Sequence, residues 1–287
     1  MELDKVERDT AGEMAALSAH VYGDKDVTAT RVQELPEGWK VRAESSPDVE
    51  KKTGFFGRLY ERTTDPKDGE TRFAFIFRGT TPQLPTIIDD VKIALGHLPR
   101  GQFEAALDFM RETKRQVCEQ EGLKPAEFKF DTGGHSLGGA LAREAGRVME
   151  ADKVWAFNAP GESKKVKSYS RFLSKGAQEP EVMDIGSSYD IINAFKTSGI
   201  GEKAVKINLK TDGSSLHHSL EGLRKAMEED RLNNKPVMTR QPDSIKKALN
   251  LISKDVSQSR FMQAVFNGVL GHGSEKKQPK AGPNPAR

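Results

Sequence analysis

Apolar residues along the chain follow two periods, one typical of helices and one typical of buried strands. Residues 11–22 place Met14, Leu17 and Val21 at helical spacing, which predicts a short helix. The segment Phe73–Phe77 is apolar at every position, so both of its faces should be covered by other elements. Such a segment is typical of a central strand in an α/β sheet.

Two predicted strands come first, and from residue 71 onward predicted strands and helices alternate along the chain. The predicted strands are 54–62, 71–77, 128–132, 154–157, 181–185 and 204–209. The predicted helices are 102–120, 137–149, 162–174 and 220–229. This alternation favours an α/β fold with a mostly parallel central sheet and helices on both faces.

The pattern changes after about residue 230. Residues 242–270 carry apolar side chains at helical spacing, which predicts one or two amphipathic helices. Residues 271–287 are rich in proline and glycine and contain no apolar residue beyond alanine, which predicts disorder. We therefore expect an α/β domain over residues 1–230, a helical extension over 231–270 and a disordered tail over 271–287.

Composition and charge exclude several classes of protein. The net charge of +3 is too balanced to predict nucleic-acid binding. A single cysteine, Cys118, excludes an intramolecular disulfide and a cysteine-based zinc site. No apolar run approaches the roughly 18 residues that a membrane-spanning helix needs. Because residues 1–10 are charged and lack an apolar core, we expect synthesis in the cytoplasm without a conventional secretory signal.

Residues 134–138, Gly-His-Ser-Leu-Gly, match the pattern G-x-S-x-G between a predicted strand and a predicted helix. In that context the pattern forms a sharp turn that exposes a serine hydroxyl at the top of a sheet. Glycines are needed because the nucleophile takes a strained backbone conformation and larger neighbours would clash. The helix N-terminus also favours negative charge that develops at the reacting centre. The motif therefore predicts that Ser136 is a nucleophile.

A serine nucleophile needs a base and an acid that orients the base, and in this layout both follow it along the chain. His217 and His218 lie in a predicted loop, where an imidazole can reach over the sheet, and only one of them is needed. Asp190, just beyond a predicted strand, is the preferred acid because triad acids follow strand ends. Asp184, inside that strand, and Asp212, in a turn, are the alternatives.

An oxyanion hole requires two donors aimed at the oxygen that becomes negative. The backbone N–H of Leu137, which follows the predicted nucleophile, is one candidate. The second is expected from Arg78-Gly79-Thr80 after the central strand, where Thr80 offers its N–H and its hydroxyl. The alternative is that Gly79 and Pro82 simply end the strand in a turn.

These motifs resemble those of the class 3 lipases, the fungal-type lipases of the α/β-hydrolase fold. Phe77-Arg78-Gly79-Thr80 resembles the family's oxyanion motif, and residues 132–142 (TGGHSLGGALA) resemble its serine elbow. Asp190 with two following apolar residues resembles the acid site, and His218-Ser219-Leu220 resembles the histidine site.

The resemblance covers about residues 50–225 and implies an α/β-hydrolase fold with a serine ester hydrolase site. The implied roles are Ser136 as nucleophile, Asp190 as acid, His218 as base and Thr80 as oxyanion donor. The implied cycle passes through an acyl-enzyme that water hydrolyses, and it requires no metal or organic cofactor.

Two positions depart from the usual class 3 pattern. Gly133 stands where the family commonly has a threonine, and residues 156–161 (AFNAPG) replace its usual Phe-Gly-x-Pro segment. The asparagine form is similar to toxin-like bacterial lipases and phospholipases of this family. That similarity implies export by a dedicated secretion system, action as an antibacterial effector, and a cognate inhibitor (immunity) protein as a partner.

The expected substrate is a lipid acyl ester, either a phospholipid or a triglyceride. Residues 83–99 are predicted to form a lid over the acyl chain or, equally, an ordinary helix packed on the core. The apolar stripe from residue 245 to 269 predicts contact with a membrane surface or, more commonly, packing on the catalytic domain. The alternative functions are an esterase or thioesterase acting on soluble esters, and a catalytically inactive hydrolase fold that serves as a binding module.

Overall fold

The computed structural model describes residues 5–23, 34–63, 72–80, 98–161, 164–174, 178–187, 204–209 and 220–233. The chain divides into two units, Met1–Asp243 and Ser244–Arg287, and all of these residues belong to the first. The predicted start of the helical extension, residue 231, lies within the last described helix. The predicted amphipathic helices at 242–270 and the predicted tail at 271–287 lie outside the described residues.

Helices and strands alternate along most of the described chain. In chain order they are α1 (Lys5–His20), β1 (Trp39–Glu44), α2 (Pro47–Thr53), β2 (Gly57–Arg62), β3 (Phe73–Phe77), α3 (Arg100–Glu121), β4 (Phe130–His135), α4 (Leu137–Met149), β5 (Lys153–Phe157), α5 (Lys164–Leu173), β6 (Glu181–Ser187), β7 (Ala204–Leu209) and α6 (Leu220–Asn233). Within these residues, no helix combines the length and the apolar character needed to cross a membrane.

The seven strands form one sheet in the order in which they occur along the chain. β1, β2 and β3 pair antiparallel, whereas β3 to β7 pair parallel. Five parallel strands with helices on both faces confirm the predicted α/β-hydrolase-like architecture. The carboxyl ends of β3 to β7 meet at one edge, where α/β proteins place their ligand sites.

The central strand β3 contributes to two separate cores, as its uninterrupted apolar sequence predicts. Phe73, Phe75 and Phe77 pack into a core shared with α3 and α4. Ala74 and Ile76 pack into a second core shared with α1 and α6. Because successive side chains of a strand point to opposite faces, both faces of β3 must be covered to bury all five residues.

Helix α4 follows β4 directly and is buried along almost its whole length. A cluster of buried polar side chains on α4 joins this helix to α5 and to the chain after β5. Glu144 accepts hydrogen bonds from Arg147 (2.5 Å) and from the Ser170 hydroxyl (2.6 Å), and Arg143 donates to the carbonyl oxygen of Pro160 (2.8 Å). Breaking a buried charge pair is strongly destabilising, so these contacts fix the middle of α4 against α5 and the chain after β5.

The sequence patterns predict neither β1 nor α2. β1 is an edge strand in which Trp39 is buried and most other side chains are not, and α2 contributes no buried residue. The local signals for α2 are its caps: the Ser46 hydroxyl accepts from the Val49 N–H at 3.3 Å, and Gly54 ends the helix with φ 78°. Both elements lack the apolar periodicity on which the predictions depend.

Helix α1 begins at Lys5, six residues before its predicted start. Met14, Leu17 and Val21 are buried, as predicted, but the first turns carry polar side chains and an exposed Val6. These turns leave no apolar stripe in the sequence, because they run along the surface and not into the core.

Candidate active site

The predicted nucleophile Ser136 connects the end of β4 to the start of α4 in a rare backbone conformation, φ 57° and ψ −127°. Its N–H donates to the carbonyl oxygen of Phe157 (2.9 Å), and its own carbonyl accepts from the N–H groups of Gly139 (3.0 Å) and Ala140 (3.2 Å). Such a conformation costs on the order of 1–3 kcal/mol and persists only where the surroundings enforce it. The sharp strand-to-helix turn that the motif predicts is therefore present.

Glycines on both sides of Ser136 allow the turn to pack against β3. A Cβ atom on Gly138 would overlap the carbonyl oxygen of Phe77, and one on Gly134 would lie 2.6 Å from the same oxygen. A Cβ atom on Gly139 would lie 2.7 Å from the carbonyl oxygen of Gly134. All three positions exclude a side chain, which is the physical reason that the motif requires glycine at 134 and 138 and that a third glycine follows it.

The side chain of Ser136 does not cap α4, although serine is a favoured capping residue. Leu137 is the first residue of the helix, so its backbone N–H is one of the four that the helix does not bond internally. The partial positive charge of the helix N-terminus lies at the same place. The turn therefore offers a donor and a favourable field for an anion beside the serine.

The predicted oxyanion segment, Arg78-Gly79-Thr80, lies against this turn. A Cβ atom on Gly79 would be 2.5 Å from the carbonyl oxygen of His135 and 3.2 Å from Cβ of Ser136. Thr80 is half-buried and follows Gly79 directly. The structure thus brings the segment that carries Thr80 against the turn at Ser136, and the role of Thr80 and Leu137 as oxyanion donors stays a prediction.

Arg78 anchors the start of that segment, a role that the sequence motifs do not indicate. Its guanidinium forms an ion pair with Glu50 of α2 (2.5 Å) and lies 4.7 Å from the centre of the Phe56 ring. The backbone N–H of Arg78 donates to the carbonyl oxygen of Phe56 (3.0 Å). A cation directly after an all-apolar strand is the one signal in the sequence that could have indicated a buried ion pair.

Tyr22, in the turn after α1, also contacts the site and was not predicted to do so. Its hydroxyl accepts a hydrogen bond from the Gly79 N–H (3.1 Å) and lies 3.2 Å from Nδ1 of His135. The contacts join residues separated by 57 and 113 positions, so no local pattern could have indicated them.

The end of β5 supports the turn from the other side of β4. Asn158 is buried with φ 45°, and its N–H donates to the carbonyl oxygen of Ile185 (2.8 Å). It stands where the usual class 3 segment has glycine. Asparagine is one of the non-glycine residues that best tolerate positive φ, so the substitution keeps the chain path that glycine would allow.

The predicted acid and base can be placed only in part. Asp184 is buried inside β6, opposite Ala156 of β5 and Lys206 of β7, as expected of a residue within the strand. The preferred acid Asp190 and both candidate bases, His217 and His218, lie outside the described residues. Their roles therefore stay predictions, as does the lid, since residues 83–97 are also outside the described part of the chain.

Comparison with known proteins gives one family and a set of similar structures. A family model described as phospholipase-like, a Tle-like phospholipase domain, matches residues 13–255. No curated protein sequence matches the chain. The chain is similar in structure to a fungal lipase solved as an inhibitor complex (14% identity, 74% of this chain and 82% of that one, TM-score 0.49). It is also similar to Lip2 lipase from Yarrowia lipolytica (15% identity, 76% of this chain and 84% of that one, TM-score 0.46). A lipase from Rhizopus microsporus var. chinensis is similar as well (14% identity, 87% of this chain and 88% of that one, TM-score 0.49).

Proposed function

The chain belongs to the family of Tle-like phospholipase domains, and we propose that it cleaves the acyl esters of phospholipids with Ser136 as the nucleophile. Membership of the family makes it a carboxylic ester hydrolase of the lipase and phospholipase type, with a lipid substrate. The observation that carries the proposed role of Ser136 is its backbone conformation, φ 57° and ψ −127°, between a central parallel strand and a buried helix.

In the proposed cycle His218 takes the proton of the Ser136 hydroxyl as its oxygen attacks the ester carbonyl. The carbonyl oxygen becomes an oxyanion, which accepts hydrogen bonds from Thr80 and from the N–H of Leu137. The intermediate collapses to an acyl-enzyme, and the leaving alcohol takes the proton from His218. Asp190 keeps the imidazole in the tautomer that can act as base, with His217 and Asp184 as the alternative base and acid.

Deacylation repeats these steps with water as the nucleophile. His218 deprotonates the water, the oxyanion forms again, and the fatty acid leaves as Ser136 regains its proton. The position of the Arg78-Gly79-Thr80 segment supports this cycle, because even a Cβ atom on Gly79 would collide with the residue before the serine and crowd the serine itself. In this cycle both proposed donors are positioned before the substrate binds, and such preorganisation lowers the cost of charge development.

The proposed setting is that of a bacterial effector. A dedicated secretion system exports the enzyme to attack the membrane of another cell, and an immunity protein protects the producer. Support comes from the phospholipase description of the family and from the Phe157-Asn158-Ala159-Pro160 segment, which resembles toxin-like members. The stripe from residue 245 to 269 is the proposed contact with the membrane surface.

A lipid-release assay tests the proposed chemistry. Wild-type protein and Ser136→Ala are incubated with vesicles of defined phosphatidylcholine or phosphatidylglycerol and with triolein emulsions, and mass spectrometry identifies the products. We expect fatty acid and lysophospholipid from the wild type and neither from Ser136→Ala. The control Ser168→Ala, on the exposed side of α5, should behave as the wild type.

Three results would contradict the proposal in different ways. Release from triolein alone would make the enzyme a triglyceride lipase. Hydrolysis of soluble butyrate esters or thioesters without release from vesicles would make it an esterase or thioesterase. Absence of both activities, together with no labelling of Ser136 by a fluorophosphonate, would indicate an inactive hydrolase fold that binds a partner.

A further inference from the structure

The hydroxyl of Tyr22 connects two backbone segments of the proposed active site. It accepts a hydrogen bond from the Gly79 N–H (3.1 Å) and lies 3.2 Å from Nδ1 of His135. We propose that Tyr22 is a positioning residue, which sets the distance between the two donors of the oxyanion hole. The inference rests on the function proposed above, in which Thr80 and Leu137 supply those donors.

The direction of the hydrogen bond with Gly79 follows from the chemistry of the groups. A backbone N–H can only donate, so Gly79 uses a lone pair of the Tyr22 oxygen. In the proposed arrangement the phenol hydrogen bonds to Nδ1 of His135, which is an acceptor in the tautomer that carries its proton on Nε2. One hydroxyl therefore accepts from the segment after β3 and donates to the turn after β4.

Each partner of Tyr22 lies close in sequence to one of the proposed donors. Gly79 directly precedes Thr80, and His135 lies two residues before Leu137. An oxyanion hole works only if both donors are about 3 Å from the same oxygen, so the spacing of these segments matters to the rate. The Tyr22 hydroxyl is the described side-chain group that bonds to both segments.

Burial fixes the position of the phenol. Tyr22 and His135 are only 7% and 8% exposed, and their rings meet edge to face with centroids 6.2 Å apart. Two backbone hydrogen bonds hold the turn that carries Tyr22: the Tyr22 N–H donates to the carbonyl oxygen of Ala19, and the Val21 N–H donates to that of Leu17. The Val21 side chain also packs in the core. A Cβ atom on Gly79 would lie 2.5 Å from the Tyr22 oxygen, so the phenol also closes the space beside Gly79.

The chain contains a matched control for this contact. Tyr60 of β2 is fully buried, and its hydroxyl lies 2.9 Å from Nδ1 of His20. This pair also joins a buried tyrosine hydroxyl to Nδ1 of a histidine, with Arg58 as a further neighbour of both groups, and Tyr60 packs in the same core as Tyr22. It makes no described contact with the Arg78–Thr80 segment or with the turn at Ser136. Tyr60→Phe therefore removes a tyrosine–histidine contact that lies outside the proposed site.

The test compares Tyr22→Phe with Tyr60→Phe in the full-length chain, with p-nitrophenyl butyrate as a soluble substrate. Tyr22→Phe should lower kcat about 10–100-fold and change KM by less than about threefold, because displaced donors weaken contacts made in the transition state. The Ki of a trifluoromethyl ketone, whose adduct with Ser136 carries an oxyanion, should rise by a similar factor. Tyr60→Phe should leave kcat and Ki within about twofold of the wild type.

If both variants lower the melting temperature but Tyr22→Phe leaves kcat and the ketone Ki unchanged, Tyr22 is only a core residue and the inference is wrong. A different failure appears in the wild type. If the wild type neither hydrolyses the ester nor reacts with a fluorophosphonate at Ser136, the proposed function is overturned, and this inference with it.

Nitrogen NMR of the wild type provides a test that needs no folded Tyr22 variant. The His135 ring, assigned by the loss of its signals in His135→Gln, should show a protonated Nε2 and an unprotonated, hydrogen-bonded Nδ1 at neutral pH. A proton on Nδ1 would contradict the bridge, because Tyr22 could not then donate to that atom.

Discussion

The guanidinium of Arg78 and the carboxylate of Glu50 form an ion pair 2.5 Å long, which joins the segment after β3 to helix α2. The Arg78 side chain is only 7% exposed, so its charge needs a partner within the protein. Helix α2 contributes no buried residue of its own. A surface helix with no fully buried residue is thus tied to the edge of the proposed active site by charge.

Replacing Glu50 tests this anchor. Glu50→Gln should lower the free energy of unfolding by about 2 kcal/mol, less than for a fully buried pair because Glu50 is 22% exposed. It should also lower kcat, because Arg78 begins the segment that carries Thr80. Urea denaturation and ester hydrolysis measure the two effects. The control Glu104→Gln breaks an exposed pair with Arg100 and should leave both nearly unchanged; equal losses in the two variants would contradict the anchor.

Substituting the two adjacent histidines one at a time shows which of them acts as the base. His218→Ala should abolish turnover, whereas His217→Ala should largely preserve it, because a single imidazole accepts the serine proton. Steady-state hydrolysis and the rate of fluorophosphonate labelling report the loss of base function. The reverse pattern would assign the role to His217, and full activity in both variants would exclude the proposed triad.

The two aspartates are distinguished in the same way. Asp190→Asn should lower kcat on the order of 10⁴-fold, as the corresponding substitution does in a serine protease triad, because the imidazole loses the partner that selects its tautomer. Asp184→Asn should act mainly on stability, since Asp184 is buried within β6. A large loss of kcat in a stably folded Asp184→Asn, with Asp190→Asn active, would transfer the acid role to Asp184.

Two glycine substitutions should have opposite effects on stability. Gly138→Ala forces a Cβ atom onto the Phe77 carbonyl and should destabilise the fold by about 1–3 kcal/mol, with loss of activity as α4 shifts. Gly12→Ala, inside α1, meets no atom within 4 Å and should stabilise by about 0.5–1 kcal/mol through helix propensity. Thermal unfolding measures both. An active, stable Gly138→Ala protein would contradict the described packing of α4 on β3.

His20 predicts a dependence of stability on pH. Burial, and next the charge of Arg58, lower the pKa of His20 below 6.5 in the folded state. Because the unfolded chain then binds the proton more readily, the contribution of His20 is complete above pH 6.5 and is lost as the pH falls toward the lower folded value. Denaturation at pH of about 7.5 and 5.5 should show this loss in the wild type, and a smaller one in His20→Gln. An equal loss in both would assign it to other groups.

The sequence alone predicts most of the elements that carry strong local patterns. The bounds of α4 and β7 agree with the prediction, and the two covered faces of β3 follow from five consecutive apolar residues. β4 differs: it runs to His135, three residues beyond its predicted end, although Gly133 and Gly134 are poor strand formers. There the pairing of Gly134 with Ala156 and of His135 with Phe157 overrides local propensity.

For the proposed site, local sequence is enough to identify the strand-to-helix turn at Ser136, because the glycine spacing and the flanking periodicities are properties of neighbouring residues. The tertiary structure alone decides that Tyr22 bonds to Gly79 and His135 and that Glu50 compensates Arg78. These contacts join positions 28 to 113 residues apart. Each uses a polar side chain of a common type, which could as easily lie exposed on the protein surface. A hydrogen bond between distant residues imposes no periodicity on either segment, so only the packing of α1, α2 and the sheet reveals which polar groups meet.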